Sequence, residues 1–182
     1  MSFLQSIKAK LFDLSLSRRV GRRRAIPEKA VNLETAQTIG ILFNATDLDQ
    51  RKIVLDFVAK WSKQKKKFRL LGFFDSKLKD ENFTFDHFNL NNINWLNIPN
   101  GEEIEAFLAE DFDLLIYLDT RSDIRMEYLS MLAVAPLKVG PPMEKLPAYD
   151  FMVEVSESAG LKQFIRQMEN FLQKINTHPS HA

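Results

Sequence analysis

A short apolar run rich in branched side chains, Gln37-Thr38-Ile39-Gly40-Ile41-Leu42-Phe43-Asn44, stops at the polar cluster Asn44-Ala45-Thr46-Asp47. Directly behind it Ile53, Val54, Phe57, Val58 and Trp61 recur at helical spacing, and Phe68-Arg69-Leu70-Leu71-Gly72-Phe73-Phe74-Asp75 is a second apolar run. A buried strand, a capped amphipathic helix and another strand in that order favour a parallel pair joined by a right-handed crossover. Parallel strands need helices on their faces, so this unit restricts the rest of the chain to a layered α/β arrangement.

The pattern continues. Glu102 to Glu110 reads as a short helix through Ile104, Phe107 and Leu108, and Phe112 to Asp119 as a central strand. Residues 123 to 134 read as a helix, Leu137-Lys138-Val139-Gly140 as a short strand closed by Pro141-Pro142, and Tyr149 to Val155 as an edge strand. Gly160 to Ile175 closes the domain as a helix through Leu161, Phe164, Ile165, Met168, Phe171, Leu172 and Ile175. Residues 76–99 alternate only in Phe83-Thr84-Phe85 and Ile93-Asn94-Trp95, which suggests short extended pieces. The expected architecture is a single doubly wound, mostly parallel α/β sheet, flavodoxin-like or Rossmann-like, over residues 37–176.

Ahead of this domain stand an apolar stripe and a basic arm. Phe3, Leu4, Ile7, Leu11, Phe12 and Leu14 recur at spacings of three and four, predicting a helix over 2–15 with Lys8 and Lys10 off the stripe. Five arginines follow within seven residues, Arg18, Arg19, Arg22, Arg23 and Arg24, and residues 17–36 read as a linker. Residues 1–29 hold eight basic and two acidic side chains in a chain of net charge +1, so a basic leader of +6 faces a body of −5. Guanidinium clusters of this kind bind phosphate oxygens, which points to RNA or an anionic membrane as partner. A second cluster, Lys63, Lys65, Lys66, Lys67 and Arg69, follows the end of the first core helix and extends the basic face if it lies on the same side.

The chemistry of a catalyst is harder to find. With no cysteine, disulfides, thiolate metal sites and cysteine nucleophiles are excluded. Of three histidines, His178 and His181 lie in the polar tail 177–182, read as disordered, and His87 lies in the irregular stretch, so no metal site is expected. The chain carries no G-x-G-x-x-G, no G-x-x-x-x-G-K-[ST] and no G-x-S-x-G, so no cofactor and no catalytic residue can be assigned. In an open parallel sheet, ligands bind beyond the carboxyl ends of the strands, where Asn44, Asp75, Asp119 and Arg121 fall; these form a candidate ligand crevice, although capping and turn roles suit the same residue types.

The chain is 182 residues long and 45% hydrophobic, enough for one buried core, and it lacks an apolar run of membrane-spanning length. The arginines follow the apolar stretch, the reverse of a secretory signal, while an Arg- and Ser-rich leader also suits an organelle transit peptide. The order of basic leader, Thr38-Ile39-Gly40-Ile41-Leu42, Phe112-Asp113-Leu114-Leu115-Ile116 and Leu137-Lys138-Val139-Gly140 resembles an uncharacterised family of small α/β proteins from Bacteroidetes-type bacteria. Phe112 to Gly140 is also similar to the N-terminal Rossmann-like half of lipopolysaccharide heptosyltransferases; that resemblance implies a fold, while the sugar-nucleotide half has no counterpart in a chain of this length.

The functional expectation is a cytoplasmic, non-catalytic binding module whose basic arm docks on structured RNA, with ribosome association as one form. The alternatives are peripheral attachment at the inner face of a membrane, and a small-ligand or sugar-nucleotide-related enzyme remnant. Homo-oligomerisation through residues 3–14 is a further role for the apolar stripe.

Overall fold

A computed structural model describes residues 3–21, 30–77, 83–143, 145–156 and 158–175. Six strands form one sheet: β1 (Thr38–Asn44), β2 (Lys67–Phe74), β3 (Asp86–Asn89), β4 (Leu114–Leu118), β5 (Leu137–Gly140) and β6 (Phe151–Met152). All pairings are parallel and the spatial order is β3-β2-β1-β4-β5-β6. That order reverses direction between β1 and β4, which matches the 3-2-1-4-5-6 sheet of Rossmann-like domains rather than the 2-1-3-4-5 order of flavodoxin.

Helices cover both faces. α2 (Leu48–Ser62) and α5 (Gly160–Leu172) bury Val54, Phe57, Trp61, Phe164 and Met168 against Ile39, Ile41, Phe43, Leu114 and Ile116. On the opposite face α1 (Phe3–Val20), α3 (Glu102–Leu108) and α4 (Ile124–Leu132) pack Phe12, Leu16, Ile104, Phe107, Tyr128 and Leu129 over Leu42, Leu71, Leu115 and Tyr117. Alternate residues of β1 and β4 feed the two layers, as the period of two in a strand requires. Gly40 sits mid-strand because a Cβ there would lie 2.9 Å from Leu115 and 3.1 Å from the Phe112 ring.

Local expectations shift in three places. The first helix runs to Val20, so Arg18 and Arg19 are helical rather than part of a linker. The last strand contracts to Phe151–Met152, with Val153 N–H still donating to the Gly140 carbonyl, because this edge has a ladder partner on one side only. Within 83–99 the regular strand is Asp86–Asn89, paired with Leu71 to Phe74, and neither expected extended piece forms one. Ile93 makes an isolated bridge to Pro99, while the Asn94 side chain accepts from Leu96 N and Ile98 N and folds the segment between them into a turn.

Candidate functional site

The carboxyl ends of β1, β2 and β4, together with the segments after β5 and β6, enclose a cleft of about 610 Å³ at the point where strand order reverses. Asn44, Asp75, Asp119 and Arg121 all line it, each at the end of a different element or in the turn behind β4. Their local roles are partly structural. Asn44 Oδ1 accepts from Thr46 N at 3.0 Å, Thr46 Oγ1 accepts from Asp75 N at 2.8 Å, and Asp47 caps α2 by accepting from Gln50 N at 2.8 Å. The turn after β1 is therefore tied to the end of β2 through side chains, and the amino end of α2 already faces a carboxylate of its own.

Asp119 is half-buried at the end of β4. Its Oδ1 accepts from Thr120 N at 2.7 Å and Arg121 N at 3.2 Å, and its Oδ2 accepts from the buried Tyr117 hydroxyl at 3.3 Å. Burial raises its pKa above the ordinary carboxylate range even though these three hydrogen bonds and the nearby Arg121 charge oppose the shift. Burial also pushes the Tyr117 phenol well up, so it stays a neutral donor.

Side chains that the sequence pattern did not single out complete the walls. Arg125 grips Asp123 through Nε to Oδ1 at 2.9 Å and Nη2 to Oδ2 at 2.5 Å, lies 4.0 Å over the Phe73 ring, and reaches within 3.8 Å of Asp75. Glu127, fully buried on α4, accepts from the Ser122 hydroxyl and from Leu146 N, holding the loop after β5 against the cleft. Glu154 lines the far side. Tyr117 is hidden in an apolar strand run, and Arg125 and Glu127 sit in an ordinary helix start, so spacing offered no signal for them. Excess acid is the result: Asp75, Asp119, Asp123 and Glu154 face Arg121 and Arg125.

The cationic residues lie elsewhere. Lys63 caps the carboxyl end of α2, and Lys65 takes a positive φ of 61° in the turn that follows. Lys66 is buried, its ammonium donating to the carbonyls of Glu34 and Ala36 at 2.7 and 2.8 Å, with burial lowering its pKa. Lys67 opens β2 at the edge opposite the cleft and pairs with Glu110 at 3.5 Å; Arg19 pairs with Glu105 at 2.8 Å. Arg19 and Lys67 thus flank acidic α3 and its end. Arg22, Arg23 and Arg24 lie outside the described residues, as do His178 and His181.

The first helix divides its apolar residues. Phe12 and Leu16 point inward, while Ile7, Leu11 and Leu14 are 38%, 38% and 47% exposed. Ile7, Leu11, Leu14 and Arg18 follow one another at steps of four, three and four, so they share one outward line. The single stripe expected from spacing is two stripes on opposite sides. His87 packs edge-on against Phe74 and Phe83 at centroid distances of 5.6 and 5.1 Å. Among the described residues no group of three histidine, aspartate or glutamate side chains is placed to hold a metal ion, and no helix is long and apolar enough to cross a membrane.

Residues 8–175 match the model of a family of unknown function, DUF6913. The chain belongs to this family. DUF6913 thus spans the α/β domain and most of α1, which sets Leu11, Leu14 and Arg18 of the outward stripe within the family's own extent. No curated protein and no solved structure matches the chain.

Proposed function

We propose that this DUF6913 protein is a peripheral membrane protein, held at an anionic lipid surface by the outer side of α1. The observation that carries the reading is the exposed line Ile7–Leu11–Leu14 ending at Arg18, on a helix whose opposite side is occupied by the domain. A helix apolar on two sides is ordinarily covered on both. Lys10 flanks the line and Arg18 ends it, with more arginines next in the sequence, a composition suited to a helix lying in the interface with cations at headgroup level. Each basic side chain near such a surface contributes about 1 kcal/mol.

RNA docking through Arg18, Arg19, Arg22, Arg23, Arg24 and the lysine cluster draws less support from the geometry. Lys66 is committed to backbone carbonyls, and Arg19 and Lys67 would have to leave Glu105 and Glu110. Aliphatic side chains such as Leu11 and Leu14 also have no role on a phosphate backbone.

Co-sedimentation of the full chain with phosphatidylglycerol-containing vesicles tests the reading, with pure phosphatidylcholine vesicles and a structured RNA as the other arms. Binding to the anionic vesicles, weakened by salt and lost in a folded Leu11→Glu, Leu14→Glu variant, is the expected result. RNA binding without vesicle binding overturns it in favour of RNA docking. Self-association abolished by the same variant, again without vesicle binding, assigns the stripe to a second copy instead.

A further inference from the structure

The cleft at the carboxyl edge of the sheet carries an inference independent of how α1 is used. We infer that it binds the vicinal diol of a small, phosphate-free ligand, either a ribonucleoside or a free sugar. Three observations lead there.

The first is position. Asp75 directly follows β2 and lines the cleft beside the β1–β4 reversal. In sheets of this order an acidic residue following the first strand–helix turn accepts hydrogen bonds from ribose hydroxyls, commonly about twenty residues on; here α2 and β2 carry the chain further before Asp75 is reached. Asp75 stands at that position with an exposed side chain, 3.8 Å from the Arg125 guanidinium.

The second is what the neighbouring turn rejects. Phosphate recognition at this point needs glycines for close backbone approach and a free helix amino end. Here the turn is Asn44-Ala45-Thr46-Asp47, Ala45 is fully buried, and the Asp47 carboxylate occupies the end of α2. An anionic ligand group would meet that carboxylate.

The third is the balance of charge around the space. Arg125 is held in a bidentate pair by Asp123 and only approaches Asp75, at 3.8 Å, so Asp75, Asp119 and Glu154 outnumber Arg121 around the space. Hydroxyl groups donate to such carboxylates and accept from a guanidinium, whereas phosphate is repelled. At about 610 Å³ the cleft falls in the range of small-ligand sites.

Thermal shift and calorimetry on the full-length protein test this with four ribonucleosides, their 2′-deoxy analogues, the matching 5′-monophosphates, and free ribose and glucose. The expected result is a raised melting temperature for at least one diol ligand, because a ligand bound only by the folded state stabilises it. Its deoxy analogue, where the ligand is a nucleoside, and the folded Asp75→Asn variant should each bind about tenfold or more weakly, as loss of a hydrogen bond to a charged group predicts. A nucleoside response names that source, and a response to sugars alone names the other. No response from any diol, an equal response from the deoxy analogue, or tighter binding of the monophosphate overturns the inference. Since vesicle binding depends on α1 and diol binding on Asp75, either reading can fail while the other stands.

Discussion

The Phe12 ring meets the Tyr128 ring at 5.4 Å between centroids with a 57° tilt, and this contact sets which side of α1 faces outward. Both residues belong to the core beneath α1 and α4. Truncating Phe12 to alanine should cost about 3 kcal/mol, the order seen when a buried aromatic leaves a cavity. A urea unfolding curve reads the loss, and amide exchange along α1 should accelerate more than exchange in β1 and β4. Unchanged exchange in α1 would show that other contacts anchor it.

Gly140 closes β5 directly beneath Tyr149. A Cβ at Gly140 would lie 2.6 Å from the Tyr149 ring, and the ring is confined by its own burial. Gly140→Ala should therefore destabilise the fold by about 1–3 kcal/mol through overpacking. Adding Tyr149→Leu to that variant should recover part of the loss relative to the sum of the two single changes, a coupling that a double-mutant cycle measures directly.

Lys66 ties the segment before β1 to the turn after α2 by donating to two carbonyls, those of Glu34 and Ala36. Lys66→Ala leaves both without that donor in a buried place and should cost about 1–3 kcal/mol in denaturant unfolding. Lys63→Ala, at the exposed C-cap, should change stability by less than about 0.5 kcal/mol. Equal effects would mean that the cluster acts through its charge rather than through Lys66's hydrogen bonds.

Asp119 should leave a signature in the pH dependence of stability. Its folded pKa is raised by burial, so between the unfolded and folded values the native state holds more protons than the unfolded state. The contribution is fully present below the unfolded value of about 3.9 and is lost as pH rises through the folded value. Asp119→Asn keeps an oxygen to accept from Thr120 N and Arg121 N and removes the titration. The variant's stability should thus gain on the parent's as pH rises through that window, measured as unfolding midpoints at several pH values; parallel profiles would rule the assignment out.

Much of the carboxyl-edge site was readable in advance for a simple reason. Parallel strands all deliver their carboxyl ends to one edge, so locating β1, β2 and β4 along the chain already places Asn44, Asp75, Asp119 and Arg121 near one another. Arg125 was not readable, because its importance comes from Asp123, Asp75 and the Phe73 ring converging on it from different elements. Glu127 was hidden for the same cause: a carboxylate at the start of a helix normally faces water, and here the loop around Leu146 covers it.

Local pattern alone therefore determined the alternation of strands and helices, the layered α/β class and the edge at which a ligand can sit, since backbone periodicity and capping act over a few residues. Tertiary structure alone decided the strand order, the division of α1 into an inward and an outward stripe, and the burial of Lys66 among carbonyls. Those outcomes depend on which distant surfaces meet, and a helix with apolar side chains on both sides, or a lysine in a basic run, carries no local mark of the partner it will find.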